Sequence, residues 1–307
     1  FDLSPAPQLA GGTAWAFSRP EAAGMFDYLF LDEAGQVSVA NLVAMAPAAE
    51  NLVLLGDQMQ LSQPIQGLHP GLSGLSVLDY FLQQHATVPE GMGIFLPYTY
   101  RLRPELCRFL SSAIYENRLH ADDCTSQRTI RFDRKPRLVP SPAGLVYIPV
   151  DHSGNTYESQ EEVETVREII AELTGQSLLL PGVPPRRLRP ADTLVVAPFN
   201  LQVQALKAAL PDVRVGTVDK FQGQQAPVVI FSMAASEGRA LPRGVEFLFD
   251  THRMNVALSR AQILAVLVAS PALERTPCST LEQMRLVNLF CRAAQQGRPR
   301  LRRTAGR

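Results

Sequence analysis

The chain has 307 residues, and its 29 Lys and Arg balance 29 Asp and Glu, so no global field would draw in a polyanion. A 46% hydrophobic content is ample for one large or two ordinary packed domains, and no apolar run reaches the roughly 18 residues of a membrane span. No basic-then-apolar signal segment is present, and Cys107, Cys124, Cys278 and Cys291 form no CxxC pair; they read as buried or incidental thiols of a cytoplasmic protein without a membrane partner.

Short apolar runs alternate with amphipathic segments, which predicts an α/β protein. In chain order, strands are expected at 28–31, 52–55, 145–150, 193–197, 228–232 and 263–269. Several are continuous Val/Ile/Leu runs, as suits parallel strands covered on both faces. Helices are expected at 104–114, 201–210, 253–260 and 281–294, and from Ser159 onward. There, Ser159 and Glu162 make a capping box ahead of a stripe of Val163, Val166, Ile169, Ile170 and Leu173. The Pro/Gly-rich stretch 64–76 reads as a junction between two units, and 181–190 as a Pro/Arg-rich surface loop. The arginines at 292, 298, 300, 302, 303 and 307 read as a solvated tail or as a phosphate-contacting arm.

The chemistry is carried by a few polar clusters at strand ends. The run from Phe26 delivers Asp32 and Glu33 at its C-terminal end, the edge where ligands of open α/β sheets bind. The first carboxylate suits Mg²⁺, and the second can orient and deprotonate water. A second strand ends in Gly56-Asp57-Gln58-Met59-Gln60, where a neutral amide can sense a phosphate. Tyr100 and Arg101 precede a helix, offering a stacking ring and a guanidinium suited to phosphate. Residues 216–225 form a polar, Gly-punctuated turn feeding a buried strand. Arg253 and Arg260 lie seven apart on one predicted helix and are expected to share a face. A P-loop is missing: the three lysines, Lys135, Lys207 and Lys220, each follow a residue other than Gly.

Together, in this order, these stretches resemble the superfamily 1B helicases, from about Gly11 to Phe290. TVDKFQGQQAPVVIFSM and DEAGQ narrow the likeness to bacterial proteins with a RecB-like nuclease domain upstream. The resemblance implies a RecA-like P-loop NTPase architecture with a parallel sheet. A partial first RecA-like domain (1–75) would be followed by a complete second one (76–294) and an Arg-rich tail (295–307). It also implies ATP and Mg²⁺, with Asp32 holding the metal, Glu33 activating water, and Gln60, Arg101 and Arg260 contacting the γ-phosphate. Asp57, Tyr100, Gly223 and Gln225 would line the nucleotide. Thr13, Phe199, Asn200, Gln202, Thr217 and Gln222 would lie along single-stranded DNA, or RNA. Gln225 and Pro227 stand where the family commonly has Glu and Asp, which puts a ribose contact at Gln225 in doubt.

The expected function is that of the C-terminal portion of an ATP-dependent 5′→3′ DNA helicase. Its partners would be an upstream RecA-like half and a nuclease domain in the same polypeptide, and it would be inactive alone for want of the phosphate cradle. The alternatives are a degenerate module that binds nucleic acid or a partner without hydrolysis, and an RNA helicase.

Overall fold

Two parallel strands organise the first unit of the computed structural model, which describes residues 9–61, 67, 69–83, 85–238 and 243–299. β1 (Phe26–Leu31) pairs with β2 (Ala49–Leu54), setting Phe26 opposite Ala49 and Leu31 opposite Leu54. The period-two alternation of a strand buries Leu29 and Leu31 and leaves Tyr28 and Phe30 exposed. Helix α1 (Val39–Met45) starts where Ser38 Oγ accepts the Asn41 N–H at 3.2 Å. Helix α2 (Val77–Leu82) starts where Ser76 Oγ accepts the Asp79 N–H at 3.0 Å.

The chain divides into compact units at Phe95 and Leu96, later than the expected boundary at 75 and 76. The reason is packing: Val77, Leu78 and Leu82 of α2 bury in one core with Leu29, Leu31, Ala34, Leu42 and Met45. An antiparallel bridge between Ser38 and Ser76 ties the same segment to the first unit. Pro64 of the expected junction lies outside the described residues, as does Phe1.

The second unit is built on a five-stranded, all-parallel sheet. Its strands are β3 (Gly144–Pro149), β4 (Thr193–Val196), β5 (Arg214–Gly216), β6 (Ala226–Ser232) and β7 (Ala261–Ala269), in the order β5-β4-β6-β7-β3. Its longer helices are α3 (Pro104–Ala113), α4 (Gln160–Leu173), α5 (Asn200–Ala209), α6 (Thr251–Ser259) and α7 (Leu281–Gly297), and a short helix spans Gly244–Leu248. A parallel sheet cannot leave a face to water when both faces are apolar. Val166, Ile169 and Leu206 accordingly seal it together with Val228, Ile230 and Val266.

Three expectations change here. Residues 181–190 are not a loop throughout. Val183–Arg187 pairs with Ser177–Leu180, which pairs with Thr129–Arg131, in an antiparallel sheet. Arg186 closes it with two bonds to Asp192 at 2.6 and 2.7 Å. Helix α7 continues through Gly297, so the tail does not begin at 295; Arg298 follows it and pairs with Glu274 at 2.5 Å. Arg300, Arg302, Arg303 and Arg307 lie outside the described residues. Finally, Ser159 caps α4 as expected, accepting the Glu162 N–H at 3.1 Å, but the Glu162 side chain turns into the interior. Among the described residues no helix is long and apolar enough to cross a membrane.

Candidate functional site

In the first unit, parallel pairing carries the ends of β1 and β2 to the same edge. Asp32 and Glu33 follow β1 and are exposed; Asp57 and Gln60 follow β2. Asp32 Oδ1 accepts the Glu33 N–H at 2.9 Å, and Glu33 takes a left-handed φ of 52° that turns the chain away from the strand. The two loops then run backbone against backbone. Leu55 N donates to Leu31 O and Ala34 N to Leu55 O, both at 2.8 Å. A Cβ at Gly56 would stand 2.9 Å from Ala34 N, so the approach requires glycine there. Asp57 accepts from Met59 N at 2.9 Å and from Gln60 Nε2 at 3.0 Å, which holds the Gln60 amide beside the carboxylates' strand end. Among the described residues no group of three metal-ligating side chains occurs. A single exposed carboxylate at Asp32 nevertheless fits Mg²⁺, which takes one or two carboxylates and completes its shell with phosphate and water. Thr13 is exposed and precedes the short helix Ala14–Phe17.

In the second unit, Arg101 Nε donates to Gln225 Oε1 at 3.1 Å, and Arg101 Nη1 reaches Ser259 O at 3.5 Å. Those bonds bring together three segments that the sequence keeps far apart. Tyr100 beside them is 65% exposed and open to stacking. Gly223 has a φ of +74° at the exposed turn before β6, and Gln222 is half-buried. Arg260, at the end of α6, is only 2% exposed, so a phosphate contact there requires the side chain to be uncovered. Arg253 does not share its setting: it is partly exposed and pairs with Asp219 at 3.5 Å.

Three of the expected residues, Phe199, Asn200 and Thr217, border an open cleft of about 440 Å³ at the C-terminal edge of the second sheet. Asn200 and Thr217 line it, as do the rings of Phe199, Tyr157 and Phe247. Thr217 follows Gly216, where a Cβ would stand 2.7 Å from Lys220 Cδ, so the turn closes tightly behind it. Phe199 is 4% exposed, wedged between Tyr157 and Phe247 at centroid distances of 5.3 and 5.5 Å.

Gln202 is a correction. It is fully buried, with Oε1 accepting Ser159 N at 2.8 Å and Nε2 donating to Ser232 Oγ at 2.8 Å, so its amide is closed off from nucleic acid. It heads a buried polar chain in which Ser232 Oγ donates to Glu162 Oε2 at 2.6 Å. Glu162 Oε1 lies 3.1 Å from His152 Nε2, and His152 Nδ1 lies 2.7 Å from Ser236 Oγ. Sequence reasoning missed Tyr157, Arg243, Phe247 and this chain, because their neighbours are set only by the sheet order.

The chain belongs to the AAA domain family, whose model matches residues 75–272, and together with its helicase relatives this supports the superfamily 1B likeness of its ordered motifs. It is 25% identical over 289 residues to the DNA replication ATP-dependent helicase/nuclease JHS1 of Arabidopsis thaliana, covering 86% of this chain and 21% of that one. It is 26% identical over 263 residues to the ATP-dependent helicase upf1 of Schizosaccharomyces pombe, covering 80% of this chain and 27% of that one. The chain thus spans well under a third of the length of these curated relatives. A solved Arterivirus nonstructural protein 10 helicase with DNA is 15% identical, with 80% of this chain and 40% of that one covered. Its TM-score is 0.39, too low to bear on the reading.

Proposed function

We propose that these residues form the ATP-coupling part of a helicase that moves 5′→3′ on single-stranded DNA. The adjacency of Asp32–Glu33 and Asp57–Gln60 at one strand edge carries the reading. Asp32 would hold Mg²⁺, which when bound neutralises charge on the transferring phosphoryl group. Glu33 accepts the proton of the attacking water, and Gln60, oriented by Asp57, donates to the γ-phosphate. In the second unit Arg101 and Arg260 would supply positive charge to a γ-phosphate, Tyr100 would stack on a base, and Gly223 and Gln225 would line the nucleotide. Thr13 of the first unit and Asn200, Thr217 and Gln222 of the second would each contact single-stranded nucleic acid, with Phe199 buried next to Asn200.

The 307 residues hold no Gly-Lys-Ser/Thr loop, so turnover depends on a phosphate cradle and the rest of a RecA-like half contributed by other sequence of the polypeptide. A RecB-like nuclease domain in that polypeptide belongs to the same proposal. Burial of Arg260 favours a second reading, a module that binds without hydrolysis.

The deciding experiment compares ATP turnover by the full-length polypeptide and its Glu33→Gln variant on single-stranded DNA, with unwinding measured on 5′- and 3′-tailed duplexes. Loss of about 10²–10⁴-fold in turnover with nucleotide binding retained is expected, as is unwinding of 5′-tailed substrates. Equal turnover by the variant would rule the hydrolytic reading out.

A further inference from the structure

The cleft beside Asn200 and Thr217 has walls that the strand contacts above do not use. Arg243 and Arg253 place their guanidinium carbons 4.2 and 4.5 Å from the Phe247 ring centroid. Phe247 in turn abuts Phe199, and Tyr157 closes the row while remaining 37% exposed. Arg253 is pinned by Asp219, whereas Arg243 is exposed and has no carboxylate partner among the described residues.

A guanidinium laid on a ring is partly desolvated, yet its N–H groups point outward in its own plane, available to a phosphate or a base edge. Two guanidiniums against one carboxylate make the cleft cationic, although the chain as a whole is neutral. Neither Arg101 nor Gln225, the residues assigned to ATP, lines the cleft.

We infer that this cleft is a stacking pocket for one nucleotide of the bound single strand, with Tyr157 taking the base and Arg243 the adjoining phosphate. The inference rests on the nucleic-acid reading and adds to it a site formed by Tyr157, Arg243, Phe247 and Arg253. Stacking on a ring face tolerates any base, so the pocket would grip the strand without reading its sequence.

The test is equilibrium binding of labelled oligothymidylate and oligouridylate to the full-length polypeptide over a salt series. Tyr157→Ala should weaken binding by about 5-fold or more at an unchanged salt slope, as loss of one stacked base predicts. Arg243→Gln should weaken it about 10-fold and make the slope shallower by about 0.7, the share of one single-strand phosphate. Arg243→Lys should restore the slope but only part of the affinity, because an ammonium cannot stack. Both side chains are exposed, and matching thermal melts would exclude a folding defect. Losses on oligothymidylate, on oligouridylate or on both support the pocket and name the sugar it accepts. If Asn200→Ala and Thr217→Val weaken binding while Arg243→Gln and Tyr157→Ala do not, the pocket is overturned and the strand reading survives. Failure of the unmodified polypeptide to bind either oligonucleotide overturns both.

Discussion

Arg101 and Gln225, 124 residues apart in the chain, meet through one Nε–H···Oε1 hydrogen bond of 3.1 Å. The partner is neutral, so this bond is not an ion pair. Gln225→Glu would convert the contact into an exposed ion pair worth about 0.2–1 kcal/mol. A small rise in melting temperature at low salt, abolished at high salt, is expected.

Gly56 sits where two backbones nearly touch. Gly56→Ala would force its methyl to within 2.9 Å of Ala34 N and 3.2 Å of Gly35 N, both backbone atoms that cannot swing aside. The expected cost is about 1–3 kcal/mol, read from the denaturant midpoint. Gly67→Ala, with nothing among the described residues within 4 Å of the added carbon, should stay within about 0.5 kcal/mol of the parent. A neutral outcome at Gly56 would remove the claim that the two acidic loops are held in register by contact.

Glu162 is enclosed, accepting from Ser232 Oγ and from Ala234 N at 3.0 Å while facing His152. Ala234 is held in a left-handed φ of 66°, a conformation that this bond helps to fix. Glu162→Ala would strand buried donors at about 1–3 kcal/mol each, for a total of about 3 kcal/mol or more. Glu162→Gln keeps the shape and one acceptor, so its loss should be clearly smaller. Urea denaturation of both variants distinguishes a bonded network from mere space filling, for which the isosteric Glu162→Gln would cost nothing while Glu162→Ala would still leave a cavity.

Asp192 gives a pH dependence with a definite sign. Burial raises its pKa, but the Arg186 guanidinium and the Arg189 N–H lower it more, leaving it below the ordinary carboxylate value. A folded pKa below the unfolded one stabilises fully well above about pH 4, and the gain is lost as pH falls below that through the folded pKa. Asp192→Asn should therefore lower the denaturation midpoint at neutral pH, with the gap from the parent closing as the solution is acidified.

Local patterns were enough to foresee much of this protein. Val/Ile/Leu runs announced the strands of the second sheet, and the stripe from Val163 to Leu173 announced α4, because backbone periodicity is a property of neighbouring residues. Asp32 and Asp57 were legible for the same reason: each ends an apolar run, and parallel strands end at one edge. The hairpin at 177–187 escaped notice because its prolines disguise the alternation of an edge strand.

What remained undecided by sequence was the surroundings of each polar side chain. Nothing near Gln202 distinguishes an amide that faces a ligand from one sealed against Ser159 and Ser232, and only the packing of α4 and α5 on β6 chose the second. Likewise Tyr157, Phe199, Arg243 and Phe247 are scattered along the chain. Their meeting follows from sheet order and crossovers, which long-range burial sets and no local window contains.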